Sequence, residues 1–138
     1  MQSVTDNILH GSLVISNYSQ TEGVLGADGL RISQVSYVKS YLDKSIRGVG
    51  EVQLQYRHRM NGEIDLVGFE LFSGTIAQRN GSLIFELMGT INSESGVVSI
   101  EQNLKRGSGS AELFTCSGKG SYVIVKDGNC SYELTLHT

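Results

Sequence analysis

The chain has 138 residues, with 17 glycines and no proline or tryptophan, and this length predicts one domain that spans residues 1–138 and has its own core. The formal net charge is only −3, and the 11 Lys and Arg residues form no basic run, which argues against a nucleic-acid partner. No segment has the length and apolarity of a membrane span, and the N-terminus lacks the pattern of a secretory signal. The sequence therefore indicates a cytoplasmic protein.

Short segments of interleaved apolar and polar residues follow one another along the chain, and turn signals separate them about every ten residues. There is no convincing helical window after residue 51. The predicted strands are residues 8–18, 30–42, 51–60, 63–76, 82–92, 96–104, 118–125 and 130–137. Eight strands of similar length predict a closed antiparallel barrel or a sandwich.

Three dipeptides are the strongest turn signals, namely Asn61-Gly62, Asn80-Gly81 and Asp127-Gly128. Asn, Asp and Gly accept positive φ readily, so each dipeptide predicts a two-residue type I′ hairpin turn. A turn of known length fixes the register of its two strands, and a shift of one residue would turn every side chain to the other face.

The register from the first turn sorts the third and fourth predicted strands into two faces. With Asn61-Gly62 as a two-residue turn, Leu54 lies opposite Phe69 and Gln53 lies opposite Glu70. Both faces of the sheet then carry apolar side chains, as in a barrel with a filled interior and a covered exterior. The cover is either the N-terminal segments or a second copy of the chain, and we expect a homodimer.

One predicted face combines polar and apolar side chains in the manner of a ligand site. Its members are Gln53, Gln55, Arg57 and Glu70, bordered by Phe72, Phe85 and Leu87. If this face lines the interior, it forms an apolar pocket with a few convergent polar groups, which is typical of small-molecule sites. Glu70 is then a candidate acid or base, although a carboxylate paired with Arg57 or with glutamine amides, in a structural role, is the more frequent arrangement.

The other reactive residues indicate no catalytic or metal centre. His58, placed opposite Asp65 by the predicted register, resembles a base with its orienting carboxylate, but no nucleophile is near in the sequence. The other two histidines are isolated, and the spacing shows no ligand set, so neither a metal nor another cofactor is expected. Cys116 and Cys130 are expected to be unpaired and structural.

Two glycine-punctuated blocks resemble a known family. The first block is similar to a G-x-E-R-F-x-G-T…R-x-G-S-F…G-T pattern and reads Gly68-Phe69-Glu70-Leu71-Phe72-Ser73-Gly74-Thr75, then Arg79-Asn80-Gly81-Ser82, then Gly89-Thr90. The second is similar to G-S-G-T-G-E-L…G-x-G and reads Gly107-Ser108-Gly109-Ser110-Ala111-Glu112-Leu113, then Gly118-Lys119-Gly120. Both resemble a family of small bacterial proteins known only as a domain of unknown function. The resemblance covers residues 51–138 and implies an all-β, antiparallel eight-stranded barrel that is calycin-like and allene oxide cyclase-like.

The resemblance implies a fold rather than an activity. Allene oxide cyclases bind a fatty-acid epoxide in the barrel, but none of their catalytic residues can be carried over to this chain. Leu71 and Leu87 stand where the family pattern has Arg and often His, so a Glu–His pair at Glu70 is absent. Three hypotheses follow: a barrel that binds a small apolar ligand, with Glu70, Arg57 and Gln55 orienting its polar end; an isomerase or cyclase with one interior carboxylate; or a packed interaction module that dimerises.

Overall fold

The computed structural model describes residues 6–23, 25 and 30–137, and in it eight strands form a closed antiparallel barrel. Each strand pairs with its neighbours in sequence, and the last strand closes the barrel by pairing with the first. The strands are β1 (Asp6–Thr21), β2 (Arg31–Leu42), β3 (Ile46–His58), β4 (Ile64–Ile76), β5 (Arg79–Ile91), β6 (Val98–Leu104), β7 (Ser117–Ile124) and β8 (Cys130–His137). The predicted all-β, eight-stranded antiparallel barrel is confirmed.

Side chains alternate between the interior and the exterior along each strand, because successive residues of a strand point to opposite faces. In β8, for example, Cys130, Tyr132, Leu134 and Leu136 are buried, and the residues between them are more exposed. The same alternation in the other strands turns an apolar cluster and a few polar side chains into the interior. No helix among the described residues is long and apolar enough to cross a membrane.

The hairpin loop between β3 and β4 is one residue longer than predicted. The amide of Arg59 donates to the carbonyl of Glu63 at 2.8 Å, so the loop consists of the three residues 60–62. Of these residues only Gly62 has a positive φ, 89°. This is a three-residue loop ending in a left-handed glycine, not a type I′ turn. The loop before β8 is built in the same way, with Gly128 at φ 93° and the Val125 amide donating to the Asn129 carbonyl.

The extra loop residue shifts the register of β3 against β4 by one. Glu70 pairs with Val52, where the prediction had it opposite Gln53. The predicted faces of β3 were therefore wrong, because a shift of one residue reverses every side chain. The interior face of β3 is apolar, and the residues that project outward include Gln53, Gln55 and Arg57.

The hairpin between β4 and β5 turns at Ala77-Gln78, and not at Asn80-Gly81 as predicted. Both turn residues have positive φ, 49° and 67°, which matches a type I′ backbone without its usual residues. Asn80 and Gly81 instead pair with Thr75 and Gly74 inside the sheet. The turn lies three residues earlier than predicted, which moves the pairing partner on β5 by six residues. Six is an even number, so the predicted shared face of β4 and β5 is correct in spite of the wrong turn.

The two ends of the barrel are built differently. At one end, called the closed end here, the β6–β7 connection carries a short 3-10 helix at Ala111–Leu113 that the sequence did not predict, and Leu113 is fully buried. The amide of Ser110 fastens this connection to the Ser82 carbonyl of β5 at 3.0 Å. Gly81 leaves room for it, because a Cβ there would meet Ser110 and Leu113. The opposite end, the open end, carries the β3–β4, β5–β6 and β7–β8 loops.

Candidate functional site

A polar cluster lies at the centre of the barrel interior. The carboxylate of Glu70 accepts hydrogen bonds from Lys39 Nζ at 2.7 Å, from the Tyr41 hydroxyl at 2.7 Å and from Gln102 Nε2 at 2.9 Å. All four side chains are completely buried. Gly50 faces the same space from β3, and a Cβ there would collide with the Glu70 side chain. The cluster thus brings together β2, β4 and β6, and the carboxylate has partners on both oxygens.

The Lys39 ammonium is held in this apolar surrounding by two kinds of contact. Burial lowers the pKa of Lys39, and the charge and hydrogen bond of Glu70 oppose that shift. Nζ also lies 3.5 Å from the centroid of the Tyr122 ring, and such a cation–π contact contributes about 2 kcal/mol when it is desolvated. The amide oxygen of Gln102 is buried and accepts no hydrogen bond from the described residues.

A pair of tyrosine hydroxyls lies between this cluster and the open end. Tyr37 on β2 and Tyr122 on β7 approach with their oxygens 2.5 Å apart. Burial raises the pKa of both hydroxyls well above the ordinary value, so both keep their protons. The Tyr122 ring covers Lys39, and the Tyr37 ring stacks on Tyr18 with a centroid distance of 6.3 Å.

Above the tyrosine pair the barrel opens into a cup of about 550 Å³. Its walls are aliphatic side chains, namely Ile15 within β1 and Ile64, Ile91, Val98 and Ile124 at the ends of β4, β5, β6 and β7. Its polar side chains are those of Tyr18, Gln20, Tyr37, Tyr56 and His58. None of the described residues that line the cup is Asp, Glu, Lys or Arg. The cup is therefore an apolar hollow with a few neutral hydrogen-bonding groups and one imidazole.

The polar groups near the rim of the cup are already partnered. His58 Nε2 lies 3.1 Å from Ser33 Oγ, and the Tyr18 hydroxyl donates to Gln20 Oε1 at 2.8 Å. Burial raises the pKa of Tyr56, and its hydrogen bond with Tyr18 adds to that shift. These contacts hold the rim side chains in place without a charged group.

The structure brings together only some of the residues singled out from the sequence. Four of them face the interior and are buried, namely Glu70, Phe72, Phe85 and Leu87. The other three project from the outer face of β3, namely Gln53, Gln55 and Arg57. Arg57 therefore cannot pair with Glu70, whose partner is Lys39. Sequence reasoning missed Lys39, Tyr37 and Tyr41, although their period-two spacing in β2 places the lysine on the buried face.

The predicted pairing of His58 with Asp65 is also wrong. In the observed register His58 lies opposite Ile64, and Asp65 lies opposite Arg57 on the outer face. The carboxylate of Asp65 accepts a hydrogen bond from Arg59 Nε at 2.6 Å. His58 turns inward to the cup, so it is not oriented by a carboxylate.

The two cysteines are free and buried. Burial raises the pKa of both thiols, that of Cys130 to about 11. A thiol that keeps its proton is a poor nucleophile, which fits a structural role. Within the described part of the chain, no group of three or more His, Cys, Asp or Glu side chains is placed to hold a metal ion.

Comparisons with known proteins agree with the fold. A family model described as a protein of unknown function, DUF3224, matches residues 9–136. Among solved structures, the chain is similar to a DUF3224 protein of unknown function from Shewanella oneidensis MR-1, with 16% identity, a TM-score of 0.76, and coverage of 97% of this chain and 96% of that one. No curated protein matches. The predicted membership of a barrel family of unknown function is confirmed, and the allene oxide cyclase-like subtype stays a prediction.

Proposed function

Since this chain belongs to the DUF3224 family, whose function is unknown, we propose its function from its own geometry: it binds a small apolar molecule in the cup at the open end of the barrel. The observation that carries the proposal is the cup itself, a hollow of about 550 Å³ with aliphatic and aromatic walls. Small-molecule sites are typically concave, of roughly 300–1,000 Å³, and often lie in the mouths of β-barrels.

The lining of the cup favours an uncharged ligand. A charged group that leaves water needs a partner of opposite charge, and the described residues of the cup offer no Lys, Arg, Asp or Glu. The ligand does not reach deeper into the barrel than the cup, because Phe72, Phe85 and Leu87 are packed in the core. The proposed site thus lies nearer the open end than the site expected from the sequence, and Gln53, Gln55 and Arg57 do not line it.

Binding is better supported than catalysis at Glu70. A general acid or base must come within hydrogen-bond reach of the proton that it transfers. Glu70 is completely buried, does not line the cup, and accepts hydrogen bonds from Lys39, Tyr41 and Gln102. The isomerase or cyclase hypothesis therefore lacks a carboxylate that a substrate could meet.

A cup-filling variant tests the proposal. Val98 lines the cup, and Val98→Phe adds an aromatic ring to that space. We expect the variant to bind the neutral dye N-phenyl-1-naphthylamine at least about tenfold more weakly than the wild type, because the added ring occupies the space that the dye needs. The matched control is Val14→Phe, because Val14 is exposed on the outside of β1. Dye binding that is absent in the wild type, or equal in both variants while they remain folded, would refute the proposal.

Native mass spectrometry of the protein purified from its own host complements the dye assay. A co-purifying small apolar molecule that is retained by the wild type and lost from Val98→Phe supports the site and identifies the ligand. A molecule that both forms retain equally would contradict the assignment to the cup.

A homodimer is a second candidate role, favoured by an apolar strip on the outer face of β4 and β5. Phe69, Leu71 and Met88 on this face are 46%, 40% and 61% exposed. A groove of about 650 Å³ lies beside them, lined in part by Val67, Met88 and Val123. In a dimer with a two-fold axis, the apolar strip of each copy can pack into the groove of the other copy.

The mass of the protein in solution tests this second role. Light scattering after size-exclusion chromatography is expected to give a dimer for the wild type and a monomer for Phe69→Lys. Val14→Lys places the same charge on the far side of the barrel and is expected to leave the dimer intact. A monomeric wild type would rule out the dimer and leave the cup unaffected.

A further inference from the structure

The tyrosine pair at the floor of the cup holds one hydroxyl proton that is not used within the described part of the chain. Two phenol groups supply two O–H donors, and their one mutual hydrogen bond, at 2.5 Å, uses only one of these. No other hydrogen bond to either hydroxyl is found among the described residues. Of the two tyrosines, Tyr37 lines the cup.

The surroundings decide which hydroxyl keeps the free proton. Tyr122 is completely buried and is not among the cup-lining residues, so a free O–H there would be a buried donor without an acceptor, which is unfavourable. When Tyr122 donates to Tyr37, the proton of Tyr37 is the free one. Since Tyr37 lines the cup, its proton is the one that a molecule bound there would meet.

We propose that the ligand of the cup is an apolar carbonyl compound, a ketone, an aldehyde or an ester, whose carbonyl oxygen accepts the free proton of Tyr37. This inference rests on the proposed function and adds the chemical class of the ligand. The apolar body of the molecule fills the space between the aliphatic walls. The carbonyl oxygen points down the barrel axis toward the tyrosine pair.

The buried lysine strengthens this donor. The Lys39 ammonium lies against the Tyr122 ring, and linked hydrogen bonds polarise one another, so the chain from Tyr122 to Tyr37 to the ligand is cooperative. Burial raises the pKa of both hydroxyls, which keeps them protonated and therefore donating at neutral pH. The best partner for this donor is a ligand oxygen that carries partial negative charge and has no proton of its own.

A matched pair of ligands isolates the carbonyl. 2-Acetylnaphthalene and 2-ethylnaphthalene share one ring system and differ in a carbonyl in place of a methylene group. Each displaces N-phenyl-1-naphthylamine from the wild type, from Tyr37→Phe and from Tyr18→Phe. Tyr18 is the matched control, since it also lines the cup but its hydroxyl already donates to Gln20.

The ratio of the two dissociation constants is the quantity to follow. Tyr37→Phe is expected to weaken the ketone about tenfold relative to the hydrocarbon, the contribution of one neutral hydrogen bond. Tyr18→Phe is expected to leave the ratio unchanged. The infrared carbonyl band of the bound ketone is expected at lower frequency in the wild type than in Tyr37→Phe.

The outcomes separate the inference from the proposed function. If the wild type binds neither naphthalene nor the dye, the proposed function fails and the ligand class fails with it. If both naphthalenes bind but the ratio is the same in Tyr37→Phe, or changes equally in Tyr18→Phe, the carbonyl inference is overturned and the cup remains a binding site. If Tyr37→Phe does not fold, a carbonyl band in the wild type at the frequency found in hydrocarbon solvent overturns the inference.

Discussion

Replacing Glu70 with Gln removes the negative charge that is paired with Lys39 and keeps the size of the side chain. The Lys39 ammonium is then completely buried without a carboxylate beside it. In the wild type this carboxylate opposes the lowering of the lysine pKa by burial. Removal of one partner from a buried ion pair destabilises a protein by roughly 3–5 kcal/mol, because the other charge is left uncompensated. The least costly response is for Lys39 to lose its proton in the folded state.

The size of the effect follows from that deprotonation. From an ordinary lysine pKa of 10.5, neutralisation costs about 5 kcal/mol at pH 7 and about 3 kcal/mol at pH 8.5. The sign is fixed by linkage: burial lowers the pKa of Lys39, and in the variant the opposing interaction with Glu70 is gone, so the folded variant binds fewer protons than the unfolded chain and its stability rises with pH below pH 10.5. The destabilisation of Glu70→Gln relative to the wild type should therefore shrink by about 2 kcal/mol over this interval.

Urea unfolding followed by circular dichroism measures these differences at both pH values. The double variant Lys39→Met/Glu70→Gln removes both charges and is expected to be more stable at pH 7 than Glu70→Gln alone, by about 3 kcal/mol. Glu86→Gln removes an exposed carboxylate from the outer face of β5 and is expected to change stability by less than about 0.5 kcal/mol. An equal loss at both pH values, or a double variant as unstable as the single one, would refute the reasoning.

Three further predictions concern the rest of the barrel. Burial raises the pKa of five tyrosines, so the stability that they contribute is present below pH 10 and is lost as the pH rises above it. We expect the absorbance of tyrosinate to appear together with the loss of the circular dichroism signal, and tyrosinates in a folded barrel would contradict this. These are Tyr37, Tyr41, Tyr56, Tyr122 and Tyr132. Changing Ala77-Gln78 to Asn-Gly should stabilise the hairpin by about 1 kcal/mol in urea unfolding, because both positions have positive φ, and a lower urea midpoint would argue against that backbone. Leu113→Ala should destabilise by about 2–5 kcal/mol and exposed Phe114→Ala by far less, and equal losses would show that Leu113 does not seal the closed end.

The eight strands could be predicted from the sequence because every interior face repeats with a period of two and turn signals separate the segments. The β3–β4 register could not, since Asn61-Gly62 suits a two-residue turn as well as the end of a three-residue loop. The hydrogen bond from Arg59 to Glu63 and the φ angles of the loop distinguish the two, and neither can be read from the sequence. One residue in one loop therefore decided whether Arg57 shares a face of the sheet with Glu70.

The cup was not predictable in the same way, because its depth is set by contacts between strands that are far apart in sequence. Tyr37 and Tyr122 belong to β2 and β7, and no local pattern shows that their hydroxyls meet. The sequence of β2 did contain one signal of the polar cluster, because Lys39 occupies a position that the alternation of the strand places in the interior. A buried ammonium needs a carboxylate, and Glu70 is the carboxylate at a buried position of β4.

The filled centre of the barrel limits what the open end can hold. A long acyl chain would have to pass the Tyr37–Tyr122 pair and displace the ion pair beneath it, which would leave Lys39 or Glu70 uncompensated. A molecule confined to about 550 Å³ avoids that cost and meets a hydrogen-bond donor at the depth where the apolar wall ends. In the proposed binding the ion pair therefore acts indirectly: it holds the Tyr37–Tyr122 pair in place, and that pair limits the length of the ligand and sets which of its ends is polar.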